Sequence, residues 1–375
     1  MSTWKLVRLN FEKNPVHFGE LGIGLEETAE RVCSDTLFSA WINAYVRLFG
    51  SAAVENLLQQ FLDSPPVRIS STFIYREQGD KFTYYLPRPL AFPRNYPQKD
   101  DLAFFKTYKN LKYLPLDIWQ RWYQGEGFTT EGEANDRVEL TETTDNRKTK
   151  GALHDAKTFD YGSTFKKHQL PKVAVDRVTR ATNFYHTGFV QFEYEQNGNG
   201  TKKHSGLYFL LEFSTADKSL ENSLQTALNL LGEEGLGGER SSGAGRFKVD
   251  CWSNLPSDWQ KVVDFKEGNS HCLISLFYQE SLSLEFLTDS SYEIIERGGW
   301  IGSPFSGRQL RRKKVRMFAE GSVFSSPPSG ELANVTPREF ITPEGGYKPH
   351  PIYRNGISLS LPILIALPSQ RNQGT

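Results

Sequence analysis

The sequence contains little cysteine and no long apolar segment. Its 375 residues include three cysteines, Cys33, Cys251 and Cys272, which lie far apart. An odd number of widely spaced cysteines argues against a disulfide framework and against a four-ligand zinc site, so we expect reduced, buried thiols. A run of about 18 apolar residues is absent, and the first residues, M-S-T-W-K-L-V-R, form no apolar signal segment. These absences predict a soluble, cytoplasmic protein with no membrane partner.

The chain also lacks an excess of charge of either sign, with 44 Lys and Arg against 44 Asp and Glu. A protein of zero net charge does not attract nucleic acid as a whole, so any nucleic-acid site must be a local concentration of basic residues. An apolar content of 38% and an aromatic content of 13% are sufficient for a sizeable core. The length allows two domains.

Strand and helix patterns predict an α+β fold. Residues 4–11, 67–75, 207–213 and 247–251 read as strands. Apolar residues recur at helical spacing from Phe38 to Leu62, with an interruption at Gly50, and again from Leu220 to Leu231; Ser34 or Asp35 is predicted to cap the first helix. The order β-α-β-[insertion]-β-α-β predicts a ferredoxin-like (RRM-like) antiparallel sheet with helices on one face.

We assign residues 1–252 to this ferredoxin-like domain and residues 253–375 to a second, smaller α+β domain. The first domain carries an insertion at about 79–204, in which residues 125–150 are polar and residues 172–194 are patterned as an extended segment. The second domain is strand-rich, with strands predicted at 271–278, 282–287, 292–296, 315–324 and 357–367.

Residues 232–246, G-E-E-G-L-G-G-E-R-S-S-G-A-G-R, form a glycine-rich loop between a predicted helix and a predicted strand. Glycine permits positive φ and close backbone approach, while exposed amides, Arg and Ser can bind anions. This composition predicts a loop that holds a phosphate backbone; a flexible connector is the alternative. The spacing fits neither a Walker A loop nor a dinucleotide fingerprint, which disfavours a nucleotide-using metabolic enzyme. The candidate residues are Gly235, Gly237, Gly238, Arg240, Ser241, Ser242, Gly243, Gly245 and Arg246.

A basic segment follows a second glycine-rich stretch that contains Trp300. Basic charge beside an aromatic residue favours contact with single-stranded RNA through phosphate neutralisation and base stacking. A solvated strand edge is the alternative. We expect the basic segment and the glycine-rich loop to form one RNA track, because a bound strand of several nucleotides needs an extended groove. Between residues 305 and 316 the basic residues are Arg308, Arg311, Arg312, Lys313, Lys314 and Arg316, with no acid among them.

His17 is the candidate for RNA cleavage, because histidine is the usual proton shuttle in metal-independent reactions. It lies in the loop after the first strand, close to where the glycine-rich loop is expected. A histidine there can equally stack on a base or bond a phosphate.

Two other kinds of site are not indicated. Glu26, Glu27 and Asp35 could ligate a metal, but no set of His, Cys and carboxylates has metal-site spacing, so we expect neither metal nor cofactor. An aromatic RNP signature is absent from residues 4–11 and 207–213. Recognition is therefore expected from loops and not from the sheet face.

Several local patterns together resemble the RAMP proteins of CRISPR systems. They are P-V-H-F-G-E-x-G-I-G-L-E-E-T at 15–28, S-D-T-L-F-S-A-x-I-N-A-Y at 34–45, R-S-S-G-A-G-R-F at 240–247, R-K-K-V-R-M-F-A-E-G-S-V-F at 312–324 and H-P-I-Y-R-N-G-I-S-L-S-L-P-I at 350–363. The chain is similar to one branch in particular, subunit four of the type III-A Csm effector complexes. The resemblance covers both ends and the middle of the chain, whereas residues 79–204 match no pattern of the family.

The resemblance implies a non-catalytic subunit that holds the repeat-derived 5′ handle of CRISPR RNA and meets target RNA indirectly. It also implies contacts with the large polymerase/cyclase-domain subunit and with a backbone RAMP subunit. A metal-independent endoribonuclease that processes CRISPR RNA is the alternative. On the matching motifs, the expected RNA contacts are His17, Phe18, Gly19, Ser34 and Thr36.

The family's insertion carries a hairpin, the thumb, that wedges into the guide–target duplex. In this sequence Phe184 and Tyr185 could supply the wedge. Hydrogen-bond donors along one side of the extended segment could contact the guide backbone; an ordinary exposed strand face is the alternative. The donors are Arg177, Thr179, Arg180 and Thr182.

Overall fold

An eight-stranded antiparallel sheet lies at the centre of the computed structural model, which describes residues 2–19, 24–96, 108–129, 136, 158–196, 202–302, 310–341 and 350–366. The strands, in chain order, are β1 (Thr3–Asn10), β2 (Val67–Ile69), β3 (Phe73–Gln78), β4 (Lys81–Pro87), β5 (Tyr113–Pro115), β6 (Phe165–Val175), β7 (Thr182–Phe192), β8 (Tyr194–Gln196), β9 (Lys202–Phe213), β10 (Lys248–Asn254), β11 (Ser270–Leu273), β12 (Ile294–Arg297), β13 (Val315–Phe318), β14 (Val323–Phe324), β15 (Leu332–Asn334), β16 (Tyr353–Asn355) and β17 (Ser360–Ile363). The central sheet has the order β10-β1-β9-β3-β4-β5, and β2 and β8 also pair with β9.

Six helices pack around the sheets. They are α1 (Ser34–Asp63), α2 (Leu116–Gln124), α3 (Lys218–Glu234), α4 (Ser257–Val263), α5 (Leu284–Leu287) and α6 (Arg338–Ile341), within the part of the chain that the structure describes. The mixed α+β class and the antiparallel pairing are as the sequence predicts.

Both faces of the central sheet are buried. Side chains alternate along a strand, so Val7 and Phe209 pack with α1 and α3 on one face, where Trp41 donates its indole N–H to the Leu224 carbonyl at 2.8 Å. On the other face, Tyr208 and Leu210 are covered by α2 and by the C-terminal part of the chain. A buried sheet face cannot stack bases, which agrees with the expectation that the sheet face does not bind RNA. Recognition by loops stays a prediction.

Helix α1 is kinked at Gly50, which has a φ of 81° and lies outside helical geometry. The interruption predicted at this glycine is confirmed. The predicted caps are wrong, because Cys33 occupies the N-cap position without a side-chain hydrogen bond. The Ser34 hydroxyl instead accepts the Leu276 N–H at 3.0 Å, and the Asp35 carboxylate binds arginines.

The insertion lies between Gln78, where β3 ends, and Lys202, where β9 begins. Its first part adds β4 and β5 to the central sheet. The prediction of one extended segment at 172–194 is wrong, because β6 and β7 form an antiparallel hairpin and the chain turns between them. Asp176 stabilises the turn by accepting the N–H groups of Val178 and Thr179, both at 2.8 Å. Of the polar stretch 125–150, residues 130–135 and 137–150 lie outside the described residues.

The C-terminal part forms smaller antiparallel sheets, with the order β14-β11-β17 in the three-stranded one. The strand predicted at 282–287 is wrong, since Ser283 caps α5 there by accepting the Phe286 N–H at 3.2 Å. Apolar residues of β11 and β17 pack into the same cluster as Leu6 and Phe73. The division at residue 252 stays a prediction.

The cysteines form no disulfide. Cys33 and Cys272 are buried, and burial raises the pKa of both thiols. Cys251 is half-buried, which corrects the expectation that all three are buried. None of the helices that the structure describes is both long and apolar enough to span a bilayer.

Candidate RNA-binding cleft

Three parts of the chain that are distant in sequence meet around a cleft of about 500 Å³. The first turns of α1 contribute Thr36 and Arg47, and the glycine-rich loop contributes its residues from Gly235 to Arg240. The third part is the stretch from Arg297 to Gly302, which Arg312 joins from the basic segment. The structure therefore brings the two predicted RNA segments to one cavity.

The glycine-rich loop is bonded to the segment between β1 and α1. The Gly238 N–H donates to the His17 carbonyl, and the Gly245 N–H donates to the Pro15 carbonyl, both at 2.8 Å. Gly237 has a φ of 99°, and a Cβ placed on it would lie 2.4 Å from the His17 oxygen. Only glycine fits this approach. The predicted proximity of His17 to the loop is confirmed.

The far side of the loop contacts the hairpin. Lys172 on β6 binds the Glu239 carboxylate and lies 3.4 Å from the Ser242 hydroxyl. Ser241 and Ser242 are exposed and do not line the cleft; neither do Gly243 and Gly245, which both have positive φ.

The two arginines of the loop are placed differently. Arg240 lines the cleft. Arg246 is exposed and does not line it, while its backbone carbonyl accepts the Asn14 side-chain amide at 3.2 Å. Of the two loop arginines predicted to contact RNA, Arg240 alone therefore lines the cleft.

His17 and Phe18 border the cleft as buried residues. The His17 ring is 5% exposed, and its Nδ1 lies 2.7 Å from the Gly188 carbonyl oxygen. Since a carbonyl can only accept, Nδ1 carries the proton in this pairing, and in the neutral ring Nε2 is then an acceptor. Phe18 is 4% exposed and packs edge-on against Phe11 at a centroid distance of 6.3 Å. Its ring belongs to the core, which argues against the expected contact of the Phe18 ring with RNA.

Trp300 has the exposed ring that Phe18 lacks. It is 53% exposed at the cleft, and the Arg311 guanidinium lies 4.8 Å from its ring centroid. Such a pair combines a half-exposed aromatic ring with a cation, which suits a base and its phosphate.

Asp35 is fully buried beneath the cleft and holds two arginines. Arg297 donates Nε to Asp35 Oδ2 at 2.9 Å and Nη2 to Oδ1 at 3.0 Å, and Arg354 donates to the same Oδ2. Burial alone would raise the pKa of this carboxyl, but the two guanidinium groups outweigh it and lower the pKa to about 2. Arg297 also donates to the Thr36 hydroxyl at 3.0 Å.

Arg297 and Arg354 were not among the residues predicted from sequence. Arg297 directly precedes the second glycine-rich stretch, and Arg354 lies in the motif at 350–363 to which no role was given. No local sequence pattern marks either arginine as a site residue. Both lie near Asp35 only because the fold brings distant segments together. Ser34, by contrast, was predicted to bind RNA but is completely buried and bonded to Leu276, so it lies in the core.

The basic segment is divided between the cleft and the surface. Arg312 lines the cleft and donates Nε to the Trp300 carbonyl at 3.1 Å. Lys313 is exposed, Lys314 pairs with Glu296 at 2.7 Å, and Arg316 lies on β13 opposite Glu296. Arg308 lies outside the described residues.

The cleft is strongly positive although the protein is neutral. Glu234 is the acidic residue in its lining, among the described residues, and it pairs with Arg47. Asp35 and Glu320 add two carboxylates behind the lining, and Glu320 pairs with Arg31 at 3.0 Å. The arginines therefore exceed the carboxylates by three. The lining arginines are Arg31, Arg47, Arg240, Arg297, Arg312 and Arg354.

Comparison with known sequences finds similarity to one family. A family model described as the CRISPR Csm4 C-terminal domain matches residues 266–363. The chain is 26% identical over 347 residues to "CRISPR system Cms protein Csm4" of Methanocaldococcus jannaschii. The alignment covers 86% of each protein. It is 26% identical over 366 residues to the protein of the same name from Mycobacterium tuberculosis, with 97% of this chain and 98% of that protein covered. The chain is Csm4-like.

Solved structures agree in fold with this Csm4-like chain. A chain of the Csm3–Csm4 subcomplex of a type III-A CRISPR–Cas interference complex superposes with a TM-score of 0.57 at 19% identity, covering 96% of this chain and 99% of that one. A chain of a Csm1–Csm4 cassette in complex with cA4 superposes with a TM-score of 0.54 at 18% identity. The superposition covers 98% of this chain and 100% of that one.

The donors predicted in the insertion lie at the tip of the hairpin. Arg177, Thr179 and Arg180 belong to its turn, where Arg180 adopts a φ of 57°, and Thr182 begins β7. They are exposed and do not line the cleft. The expectation that they follow one side of a strand is wrong, because a turn separates them from β6.

Metal binding is not supported by the described residues. They contain no group of three or more His, Cys, Asp or Glu that could hold an ion. Both oxygens of Asp35 are bonded to arginine, and the Glu26 carbonyl rather than its carboxylate is turned to the hairpin, where Gln169 donates to it at 3.2 Å.

Proposed function

We propose that this Csm4-like chain is a non-catalytic RNA-binding and scaffolding subunit of a type III-A Csm complex in the cytoplasm. The cleft holds the 5′ handle of CRISPR RNA. The observation that carries this proposal is the convergence of the glycine-rich loop, Trp300 and an excess of arginine on one cavity of a neutral protein. Phosphate neutralisation and base stacking are the two terms by which proteins bind single-stranded RNA.

The architecture supports a RAMP-type subunit. The elements β1, α1, β3, β9, α3 and β10 follow the order of a ferredoxin-like fold, and β10-β1-β9-β3 is the corresponding strand order. We assign residues 1–252 to this domain and residues 253–375 to a second, smaller one. Solved relatives are described in assembly with Csm3 and with Csm1, and we propose the equivalent subunits as protein partners of this chain.

The β6–β7 hairpin is proposed as the wedge that enters the guide–target duplex. Phe184 is 61% exposed, and Val173, its cross-strand neighbour, is 55% exposed on the same face. Val178 at the tip is 91% exposed. Apolar side chains held on a rigid hairpin can replace a base in a stack at low cost in conformational entropy.

The second candidate function, a metal-independent endoribonuclease, is favoured by one observation. His17 borders the cleft, and its Nε2 is available to accept a proton. Cleavage also needs a group that protonates the leaving oxygen. The lining carboxylate Glu234 is occupied by Arg47, so we favour binding without cleavage.

A binding and cleavage assay distinguishes the two functions. The full-length protein is titrated into labelled RNA that carries the repeat-derived handle and into scrambled RNA of equal length, with and without magnesium. We expect preferential binding of the handle and intact RNA after prolonged incubation. Specific cleavage that is lost in His17→Ala, and retained in the exposed control His168→Ala, would establish the endoribonuclease instead. Equal affinity for both RNAs would contradict handle recognition.

A further inference from the structure

The floor of the cleft, which we define as Arg297, Arg312 and Arg354 with Asp35 beneath them, has more arginines than carboxylates among the residues that the structure describes. Arg297 and Arg354 share one carboxylate. Arg312 makes no ion pair with any residue that the structure describes, and its side chain bonds a backbone carbonyl instead. Within the described ranges, one carboxylate therefore forms the ion pairs of this group, and Arg312 takes no part in these pairs.

Solvent does little to relieve this imbalance. The Arg354 side chain is 3% exposed and that of Arg297 is 13% exposed. Burial lowers the pKa of Arg312, and the charge of Arg354 lowers it further. A positive charge that is removed from water without a partner is costly, so the free protein is held in a state that an anion would stabilise.

The surroundings indicate which anion fits. The cleft of about 500 Å³ is in the range of cavities that hold small organic ligands. Arginine forks match the geometry of phosphate oxygens. Trp300 lies beside Arg312, which donates to its carbonyl, and the half-exposed indole provides a surface for the base next to that phosphate.

We propose that Arg297, Arg312 and Arg354 form a subsite for a single phosphate group of the bound RNA. Asp35 is a positioning residue, which holds Arg297 and Arg354 at the floor of the cleft before the phosphate arrives. This inference rests on the proposed function, because the phosphate belongs to the RNA held in the cleft. The phosphate is either one internal linkage of the handle or a 5′-terminal phosphate.

The test combines a protein variant with chemical neutralisation of the RNA. Arg312→Gln removes a guanidinium that has no ion pair, so the fold should persist, and Lys314→Gln removes an equal charge from the exposed part of the same segment. Each protein is titrated with handle RNAs that carry one neutral methylphosphonate linkage at successive positions, and with RNAs that end in a 5′-phosphate or a 5′-hydroxyl. Melting temperatures in the absence of RNA confirm folding.

We expect neutralisation at one position to weaken binding to the wild type by about tenfold or more, the usual effect of losing a charged hydrogen bond. In Arg312→Gln the same neutralisation should have no further effect, because the partner is already missing, whereas Lys314→Gln should keep the full penalty. A penalty at an internal linkage identifies a backbone phosphate, and one at the 5′ end identifies a terminal phosphate.

Three outcomes would overturn the proposal. RNA that binds with no position-specific penalty, or with a penalty that Arg312→Gln leaves unchanged, contradicts the subsite while the proposed function stands. Arg312→Gln that binds RNA normally but no longer associates with the Csm1-like or Csm3-like subunit makes the floor a protein-docking surface. Handle RNA that fails to bind the wild type contradicts the proposed function itself, and the subsite with it.

Discussion

Asp35 is the residue on which the geometry of the cleft floor depends. Its carboxylate is fully buried and accepts from both Arg297 and Arg354, which arrive from β12 and β16. It also lies in the first turn of α1, where negative charge interacts favourably with the helix dipole. A carboxylate in this position links three elements, and its removal would take away the negative charge that two buried guanidinium groups share.

We predict that Asp35→Asn lowers the free energy of unfolding by about 3–5 kcal/mol at neutral pH, the usual cost of breaking a buried ion pair from one side. The pKa of Asp35 is lowered to about 2 from an ordinary value of 3.8. Its stabilising contribution is therefore complete above the ordinary pKa and is lost as the pH falls toward about 2. Urea unfolding between neutral pH and about pH 2 measures both effects.

The matched control is Asp63→Asn, because Asp63 is exposed at the end of the same helix. Its stability change should stay within about 0.5 kcal/mol. Asp35→Asn should lose stability less steeply than the wild type on acidification. If the stability of Asp35→Asn and that of the wild type fall in parallel on acidification, the ion pairs of Asp35 do not govern acid stability.

At the scale of elements, the glycine-rich loop is a structural part of the fold as well as a candidate RNA contact. Gly237 cannot be replaced without strain, because an added Cβ would meet the His17 backbone and the residue has a positive φ. A Cβ on Gly238 would lie 2.8 Å from the His17 ring, which also has to move.

We predict that Gly237→Ala lowers the free energy of unfolding by about 1–3 kcal/mol, the cost of a strained backbone residue, and also weakens RNA binding. The reason is that displacement of His17 breaks its bond to the Gly238 N–H. Gly162→Ala is the control, since its Cβ would meet no atom within 4 Å. Thermal unfolding and RNA titration of both variants test this. A Gly237→Ala protein as stable as the wild type would show that the loop moves freely from the β1–α1 segment.

At the scale of the whole molecule, zero net charge conceals an uneven distribution. The lining of the cleft is rich in arginine, whereas the acids are spread over the rest of the chain. Such a distribution confines electrostatic attraction to one place, because charges on the surface are screened beyond about 10 Å at ordinary salt. RNA affinity should therefore depend on which arginine is changed and not on the total charge.

Arg240 and Arg246 provide a direct test, because both are exposed arginines of one loop and Arg240 alone of the two lines the cleft. Arg240→Glu should weaken handle binding and reduce the slope of log affinity against log salt by about 0.7 or more, the value for one phosphate contact on a single strand. Arg246→Glu changes the net charge equally and should alter neither quantity substantially. If Arg240→Glu and Arg246→Glu weaken RNA binding equally, long-range electrostatic attraction governs binding and contacts in the cleft do not.

The sequence determined most of the elements that have strong local patterns. The alternation in β1 and β9, the helical spacing in α1 and α3 and the break at Gly50 each predict the observed element, because burial on one face imposes a fixed period. Local chemistry also misled at two places. Residues 282–287 are apolar enough for a strand but have a Ser cap. Residues 176–181 contain no glycine or proline to mark the turn that Asp176 stabilises.

The residues of the cleft floor were decided by the tertiary structure alone. Trp300, Arg312 and the loop glycines have a recognisable composition and could be selected from the sequence. Arg297 and Arg354 are separated by 57 positions and meet only because β12 and β16 approach the start of α1, where Asp35 holds both. The sequence could not distinguish Phe18 from Trp300 either, since one aromatic ring is buried and the other exposed by packing between distant segments. Local patterns specify elements because their physics is local, whereas a charged site depends on which elements the fold brings together.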